Sequence, residues 1–293
     1  MSKKKVGFVG IVGRPNVGKS TLLNYLIGEK VAITSDKPQT TRNQILGIRN
    51  TDTSQIIFVD TPGIHKPRHA LGEYLDEQAI GAIKGVDLIL YMVDDVYKPA
   101  EYHVIKHFQN IEAKALLVIN KIDLLKSRSS VDDIIVSYLG QYDFYGVYPI
   151  SSLEGTHIEH LLEDVEELLE ENEVFYPEEQ TTTQSDFTRM SELIREKVLY
   201  HTQEEVPHSV AVIVDYAEMK DGVYNLYASI IVERPSQKNI LIGKGGQMIK
   251  KIGTDARKDI NKTLGTKVHL ELWVKVIKNW RQKQTNLQGL GYE

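Results

Sequence analysis

The chain has 293 residues, 41% of them hydrophobic and 26% charged, with no cysteine. That length suggests roughly two domains, and the missing cysteines exclude a disulfide framework, a thiolate metal site and a cysteine nucleophile. The net charge of −5 is unevenly spread: residues 1–180 carry −9, residues 181–293 carry +4, and residues 234–283 alone carry +10. A concentrated basic block in an otherwise acidic chain suits either a polyanion site or a solvated lysine-rich helix surface. No apolar run approaches the ~20 residues that would span a bilayer.

In chain order, the first half alternates short β-rich apolar runs with helical patterns. Residues 6–12, 56–59, 88–93, 115–119 and 147–150 are predicted strands; 21–27, 71–84 and 131–139 are predicted helices. Runs that are apolar throughout imply strands buried on both faces, hence a mostly parallel sheet covered by helices, an α/β domain over 1–170. Residues 158–169 close it as an amphipathic helix, with Ile158, Leu161, Leu162 and Val165 on one side. Residues 171–186 are acidic, then Thr/Gln-rich, without periodicity, and read as a linker. The region 187–293 changes to an α+β pattern. A helix is predicted at 187–201, then strands at 210–216 and 224–232 joined by a turn containing Lys220-Asp221-Gly222. A glycine-rich turn, a helix at 247–264 and a strand at 268–276 follow.

Gly13-Arg-Pro-Asn-Val-Gly18-Lys19-Ser20 fits G-x-x-x-x-G-K-[ST] between a predicted strand and a predicted helix, the context this P-loop motif requires. Phosphates need inward-pointing backbone N–H groups, which a glycine-bearing turn and a helix N-terminus supply. Gly13, Asn16, Val17, Gly18, Lys19, Ser20 and Thr21 are therefore candidate nucleotide ligands. Lys19 is expected to reach the terminal phosphates and the Ser20 hydroxyl to bind Mg²⁺.

Asn120-Lys121-Ile122-Asp123, directly after the apolar run 115–119, selects the base. Guanine offers N1–H and an exocyclic amine side by side, and one carboxylate, that of Asp123, can accept both. Adenine offers no such pair. Ser151 and Ser152 follow another predicted strand and are expected to support the base edge. All these segments fall at the carboxyl ends of strands, where open α/β sheets bind ligands.

Asp60-Thr-Pro-Gly63 follows the strand at 56–59. Its carboxylate suits Mg²⁺, directly or through water, and the Gly63 N–H suits the γ-phosphate. In the polar stretch Lys37-Pro-Gln-Thr40-Thr41-Arg42 a threonine can close over the metal; Thr41 is the first choice and Thr40 the alternative. Candidate metal ligands are thus Ser20, Thr41 and Asp60, and candidate catalytic groups are Lys19, Thr41 and Gly63. Ile64 stands where Ras-like proteins carry a glutamine that orients the attacking water, and an isoleucine cannot do that.

Ile240-Leu241-Ile242-Gly243-Lys244-Gly245-Gly246 places a G-x-x-G turn inside the +10 stretch. Glycines let a nucleic-acid backbone come close, and Lys244 with the following helix N-terminus can meet phosphate. Ile242, Gly243, Lys244, Gly245, Gly246, Lys250 and Lys251 are candidate RNA contacts, with Ile240, Ile249 and Ile252 as apolar lining and Arg257, Lys258 and Lys262 as outlying cations. Trp280 either stacks on a base or packs against the sheet. The order helix, hairpin, helix–turn–helix, strand resembles a type II KH domain.

Together these segments resemble the translation-factor-type GTPases. Nearly the whole chain is similar to the Era family of bacterial GTPases with a C-terminal KH domain, including Gln39-Thr-Thr-Arg42, Asp60-Thr-Pro-Gly63-Ile64 and the closing Leu290-Gly-Tyr292. The resemblance implies hydrolysis of GTP to GDP and phosphate with Mg²⁺, binding to the 3′ segment of small-subunit ribosomal RNA, and a role in small-subunit assembly. It also implies a switch in which GTP orders the Thr40/Thr41 and Gly63 segments and RNA binding responds. A monomer in the cytoplasm is expected, with peripheral association with the cell membrane as a further expectation. For hydrolysis the resemblance implies a water held by backbone and an assisting cation. Asn16 matches the position that binds K⁺ in some relatives; its other reading is a brace for the loop. Two rival classes remain: a small-molecule kinase on the same P-loop, which normally lacks Asn-Lys-x-Asp, and an RNA scaffold that holds nucleotide with negligible turnover.

Overall fold

The computed structural model describes residues 3–64, 70–109, 111–125 and 127–292. Two compact units emerge. The first takes the described residues through Thr183, except that Ile33–Thr40, Ala70 and Leu71 belong with the second, which continues from Gln184.

The first unit is built on one sheet whose spatial order is β2 (Ile45–Asn50), β3 (Ser54–Asp60), β1 (Lys4–Gly13), β4 (Leu88–Val93), β5 (Lys114–Ile119) and β6 (Gly146–Pro149). From β3 to β6 every pairing is parallel, as the continuous apolar runs predict. Strand β2, absent from the sequence reading, is antiparallel to β3. Its sequence Ile-Leu-Gly-Ile-Arg-Asn carries no clean alternation, so its strand character comes from its partner rather than from its own pattern.

Alternate residues of the central strands feed two cores. Leu88, Leu90 and Met92 pack with Leu22, Leu23 and Leu26 of α1 (Lys19–Ile27) and with Ile158, Leu161 and Val165 of α5 (Ile158–Leu168). Ile89, Tyr91 and Val93 pack instead with Ala79 and Ile83 of α2 (Ala70–Ile83), Val104 and Ile105 of α3 (Tyr102–Ile105), and Ile134 and Tyr138 of α4 (Arg128–Tyr138). Each such fully buried aliphatic side chain stabilises the fold by about 1.5–3 kcal/mol, and this fixes where the strand ends fall. Within the stretch read as a linker, residues 171–176 hydrogen-bond to the first unit's sheet. Strand β7 (Glu171–Asn172) pairs antiparallel with Lys4 and Lys5 of β1. The buried Gln55 side chain accepts from the Phe175 and Tyr176 N–H groups at 2.7 and 3.0 Å and donates to the Tyr176 carbonyl at 2.8 Å. Because tertiary partners satisfy this segment's backbone, it needs no period of its own.

In the second unit α6 (Asp186–His201) starts at Ser185, whose hydroxyl accepts from the Thr188 N–H at 3.2 Å. After the short α7 (Val206–Ser209), β8 (Ala211–Lys220) and β9 (Val223–Val232) form an antiparallel hairpin. Asp221 and Gly222 both take positive φ, 51° and 75°, the geometry of the tight turn that matches strand twist. Helices α8 (Pro235–Ile242) and α9 (Gln247–Leu264) follow, and then β10 (Lys267–Val276) parallel to β9. A single turn of helix, α10 (Gln284–Gln288), comes last. Met190, Ile194 and Val198 of α6, Ile252, Ala256 and Ile260 of α9, and Leu226, Ala228 and Ile230 of β9 form this unit's core, which includes Ile33.

Candidate functional site

At the carboxyl end of β1 the chain turns through residues 14–18 into α1. Lys19 is buried, and its ammonium donates to the carbonyls of Gly13 at 3.2 Å and Arg14 at 2.9 Å. Burial pulls the Lys19 ammonium down to about 8, with the Asp60 charge opposing. Thr21 lies half-buried in the first turn of α1. Asn16 is exposed at the tip with φ 67°, and its carbonyl accepts from Lys121 Nζ at 2.6 Å.

Three oxygen-bearing side chains meet beside Lys19. Ser20 Oγ lies 2.8 Å from Thr41 Oγ1 and donates to Asp60 Oδ2 at 2.6 Å, and Thr41 Oγ1 donates to the same carboxylate oxygen at 3.4 Å. The Thr40 hydroxyl turns away and donates to the Lys37 carbonyl at 2.6 Å. Of the two adjacent threonines, only Thr41 joins the oxygen cluster. Burial pushes the Asp60 carboxyl up to about 6, opposed first by the Lys19 charge and then by hydrogen bonds from Ser20 and Thr41. Its second oxygen, Oδ1, is buried without a hydrogen-bond partner. A buried carboxylate oxygen lacking a donor, beside two hydroxyls, is a hard-oxygen set that fits Mg²⁺.

Gly63 lies against the P-loop so closely that a Cβ there would fall 2.5 Å from the Pro15 nitrogen. The next residue, Ile64, donates its N–H to the Gly13 carbonyl at 3.3 Å. Its side chain is 1% exposed in the core formed with Val12, Ala79 and Ile83. The side chain at this position is therefore a core residue with no polar group to offer a water.

The base-side segments are tied together by Asn120. Its amide donates to the Val17 carbonyl at 2.8 Å, and its Oδ1 accepts from both the N–H and the hydroxyl of Ser152 at 2.9 Å. Ser151 Oγ donates to Asp123 Oδ1 at 2.6 Å. Lys121 crosses to the P-loop and also pairs with Asp94 at 2.5 Å. Asp94 was missed in the sequence reading, although a carboxylate immediately after β4 is itself a strand-end signal. The expected nucleotide residues thus gather at the ends of β1, β3, β5 and β6.

In the second unit the Gly243–Gly246 turn joins α8 to α9. Gly245 has φ 58°, and a Cβ added there or at Gly246 would meet nothing within 4 Å, so the turn presents bare backbone to solvent. Lys244, Lys250 and Lys251 are exposed around it, and Ile242 is half-buried. Alongside lies a groove of about 390 Å³ lined by Ile249, Lys250, Gly253, Thr254, Arg257, Leu270 and Leu272. Apolar floor and cationic rim suit bases and phosphates respectively. One expectation needs correction. Ile252 is fully buried in the core and is absent from this groove's lining, because α9 turns that face inward. Leu270 and Leu272 of β10 take its place, a choice made by strand pairing. Of the two readings of Trp280, packing holds: it is fully buried, stacks on Tyr292 at 5.9 Å and donates to the Ser209 carbonyl at 2.9 Å.

Fold and sites together define a P-loop GTPase of the translation-factor type followed by a KH domain. A family model described as 50S ribosome-binding GTPase matches residues 8–121, and a KH domain model matches residues 205–281. A point variant of Aquifex aeolicus Era bound to GDP·AlF4⁻ is 38% identical, with TM-score 0.94 over 98% of this chain and 99% of that one. Era in complex with MgGDPNP and nucleotides 1506–1542 of 16S ribosomal RNA is likewise 38% identical at TM-score 0.94, over 99% of each chain. The chain belongs to the Era family.

Proposed function

We propose that this chain hydrolyses Mg²⁺-bound GTP as a switch and that its KH domain binds the single-stranded 3′ segment of small-subunit ribosomal RNA during assembly of that subunit. The observation that carries the enzymatic half is the Asp60 cluster, where a partnerless buried carboxylate oxygen meets Ser20 and Thr41 beside Lys19. In this reading Ser20, Thr41 and Asp60 hold Mg²⁺, which neutralises charge on the β- and γ-phosphates. Lys19 exchanges the Gly13 and Arg14 carbonyls for phosphate oxygens, and the Gly63 N–H donates to the γ-phosphate. Asp123, oriented by Ser151, accepts the guanine N1–H and amine. With Ile64 buried, backbone groups of the Thr41 and Gly63 segments orient the water, and Asn16 would hold a K⁺ that supplies positive charge near the phosphates.

The RNA half rests on the exposed Gly243–Gly246 turn, the cationic groove and the likeness to Era bound to 16S ribosomal RNA nucleotides. Ile242, Lys244, Lys250 and Lys251 contact the RNA in this reading. It makes the protein a cytoplasmic monomer, where small subunits assemble, with peripheral membrane contact as a secondary association. Phosphate release, measured with and without an oligonucleotide of the 16S 3′ end, tests both halves. Turnover of GTP but not ATP, changed by the RNA, is the expected result. RNA binding with no release above background would leave a nucleotide-holding scaffold instead.

A further inference from the structure

Asp76, His103 and His107 offer one ligand atom each, all within 4.8 Å of one another, and none of the three belongs to the nucleotide site. His103 and His107 lie four residues apart on α3 and the turn that continues it, where Lys106 N–H bonds to the Tyr102 carbonyl and His107 N–H to that of Val104. This spacing puts both imidazoles on one face, with ring centroids 5.4 Å apart and planes at 85°. The other face, Val104, Ile105 and Phe108, is buried in the core and fixes the turn. Asp76 comes from α2, with its Oδ2 3.9 Å from His103 Nε2. Asp76 Oδ1 and His107 Nε2 are both buried from solvent without a hydrogen-bond partner. A carboxylate oxygen and an imidazole nitrogen left so in one cluster need a cation or proton to offset their desolvation.

We propose that Asp76, His103 and His107 form a binding site for a divalent transition-metal ion of the Zn²⁺ class that joins α2 to α3. Two nitrogens and one carboxylate oxygen are a borderline donor set, suited to Zn²⁺ and its neighbours rather than to Mg²⁺ or Ca²⁺. Tetrahedral zinc with bonds of about 2.1 Å sets its ligand atoms roughly 3.4 Å apart; the His103–Asp76 pair stands at 3.9 Å and all three ligand atoms within 4.8 Å of one another, so binding draws them together. Three protein ligands leave the fourth position to water. The ion cross-links α2, which begins seven residues after Gly63, to α3 and the turn that continues it.

The test uses the full-length protein, stripped with a chelator and kept in Mg²⁺ and GDP so that the nucleotide site is filled. Zn²⁺ titrated calorimetrically is expected to bind at about one ion per chain and to raise the melting temperature. Asp76→Asn and His107→Ala should each weaken binding by about tenfold or more, as loss of one of three ligands requires, whereas His160→Ala, an exposed histidine of α5, should not. X-ray absorption at the zinc edge of the wild type needs no substitution and should show imidazole scattering at the first-shell distance. An all-oxygen shell, no binding by the wild type, or unchanged affinity in both folded variants overturns the site and leaves a helix–helix polar contact.

Discussion

Ser151 Oγ donates to Asp123 Oδ1 at 2.6 Å, so the carboxylate proposed to read the base is aimed from a different strand end. Asp123→Asn should cut GTP affinity by about 10⁴ and gain affinity for xanthosine triphosphate, whose C2 oxygen accepts from an amide. Ser151→Ala should cost far less, about 1 kcal/mol or several-fold in GTP affinity, because it removes only the orienting bond. Competition binding with GTP, ATP and XTP checks both, and unchanged GTP affinity in Asp123→Asn would sink the guanine assignment.

Asp60 links pH to Mg²⁺. Its folded pKa is raised from 3.8 to about 6 by burial. The folded state therefore holds the proton more readily than the unfolded one. The stability this contributes is fully present below about pH 3.8 and lost as pH rises through about 6. At neutral pH the carboxylate is a buried charge that a bound cation would offset. Mg²⁺ with GDP should therefore raise the melting temperature more at pH 7.5 than at pH 5.5, and Asp60→Asn should flatten that difference. Melting curves at the two pH values, with and without Mg²⁺, decide it.

Ile64 combines a position beside the γ-phosphate segment with complete burial. Ile64→Ala should lower stability by about 2–5 kcal/mol through the cavity it leaves, while turnover per folded molecule drops only modestly. Denaturant titration alongside phosphate release separates the two. A loss of turnover far beyond the loss of folded protein would give the side chain a role in the chemistry.

If Asn16 holds K⁺, replacing K⁺ by Na⁺ should slow hydrolysis in the wild type but not in Asn16→Ala. Equal rates in both salts for the wild type would remove the cation from the mechanism and leave Asn16 as a brace for the loop.

Lys244→Asp with Gly245→Asp should abolish binding of single-stranded RNA while GTP affinity stays near the wild-type value. Aspartate tolerates the left-handed backbone at Gly245, and the site there is open, so the double variant should fold, as circular dichroism can verify. Arg257→Ala on the groove rim should weaken RNA binding without abolishing it. Wild-type affinity should fall with added salt by a log–log slope of about −0.7 per phosphate neutralised. Normal RNA binding by the double variant would make the turn structural only.

The sequence by itself determined the chemistry of the nucleotide site and the order of the parts. Gly13–Ser20, Asp60–Gly63 and Asn120–Asp123 are contiguous, and each follows an apolar run that reads as a strand, so motif and context are both local. The same holds for the Gly243–Gly246 turn, where glycine spacing states the backbone geometry directly. Tertiary structure alone decided what depends on facing. Thr40 and Thr41 are identical neighbours, and only the fold turns one toward Asp60 and the other toward Lys37. Ile252 and Leu272 are both apolar, yet helix rotation buries the first and strand pairing sets the second beside the groove. Strand β2 and residues 171–176 carry weak patterns of their own, because their hydrogen bonds are completed by β3, β1 and Gln55. Asp76 belongs to α2 and the pair His103 and His107 to α3 and its continuing turn, and their convergence exists only because α2 and α3 pack on one face of the sheet.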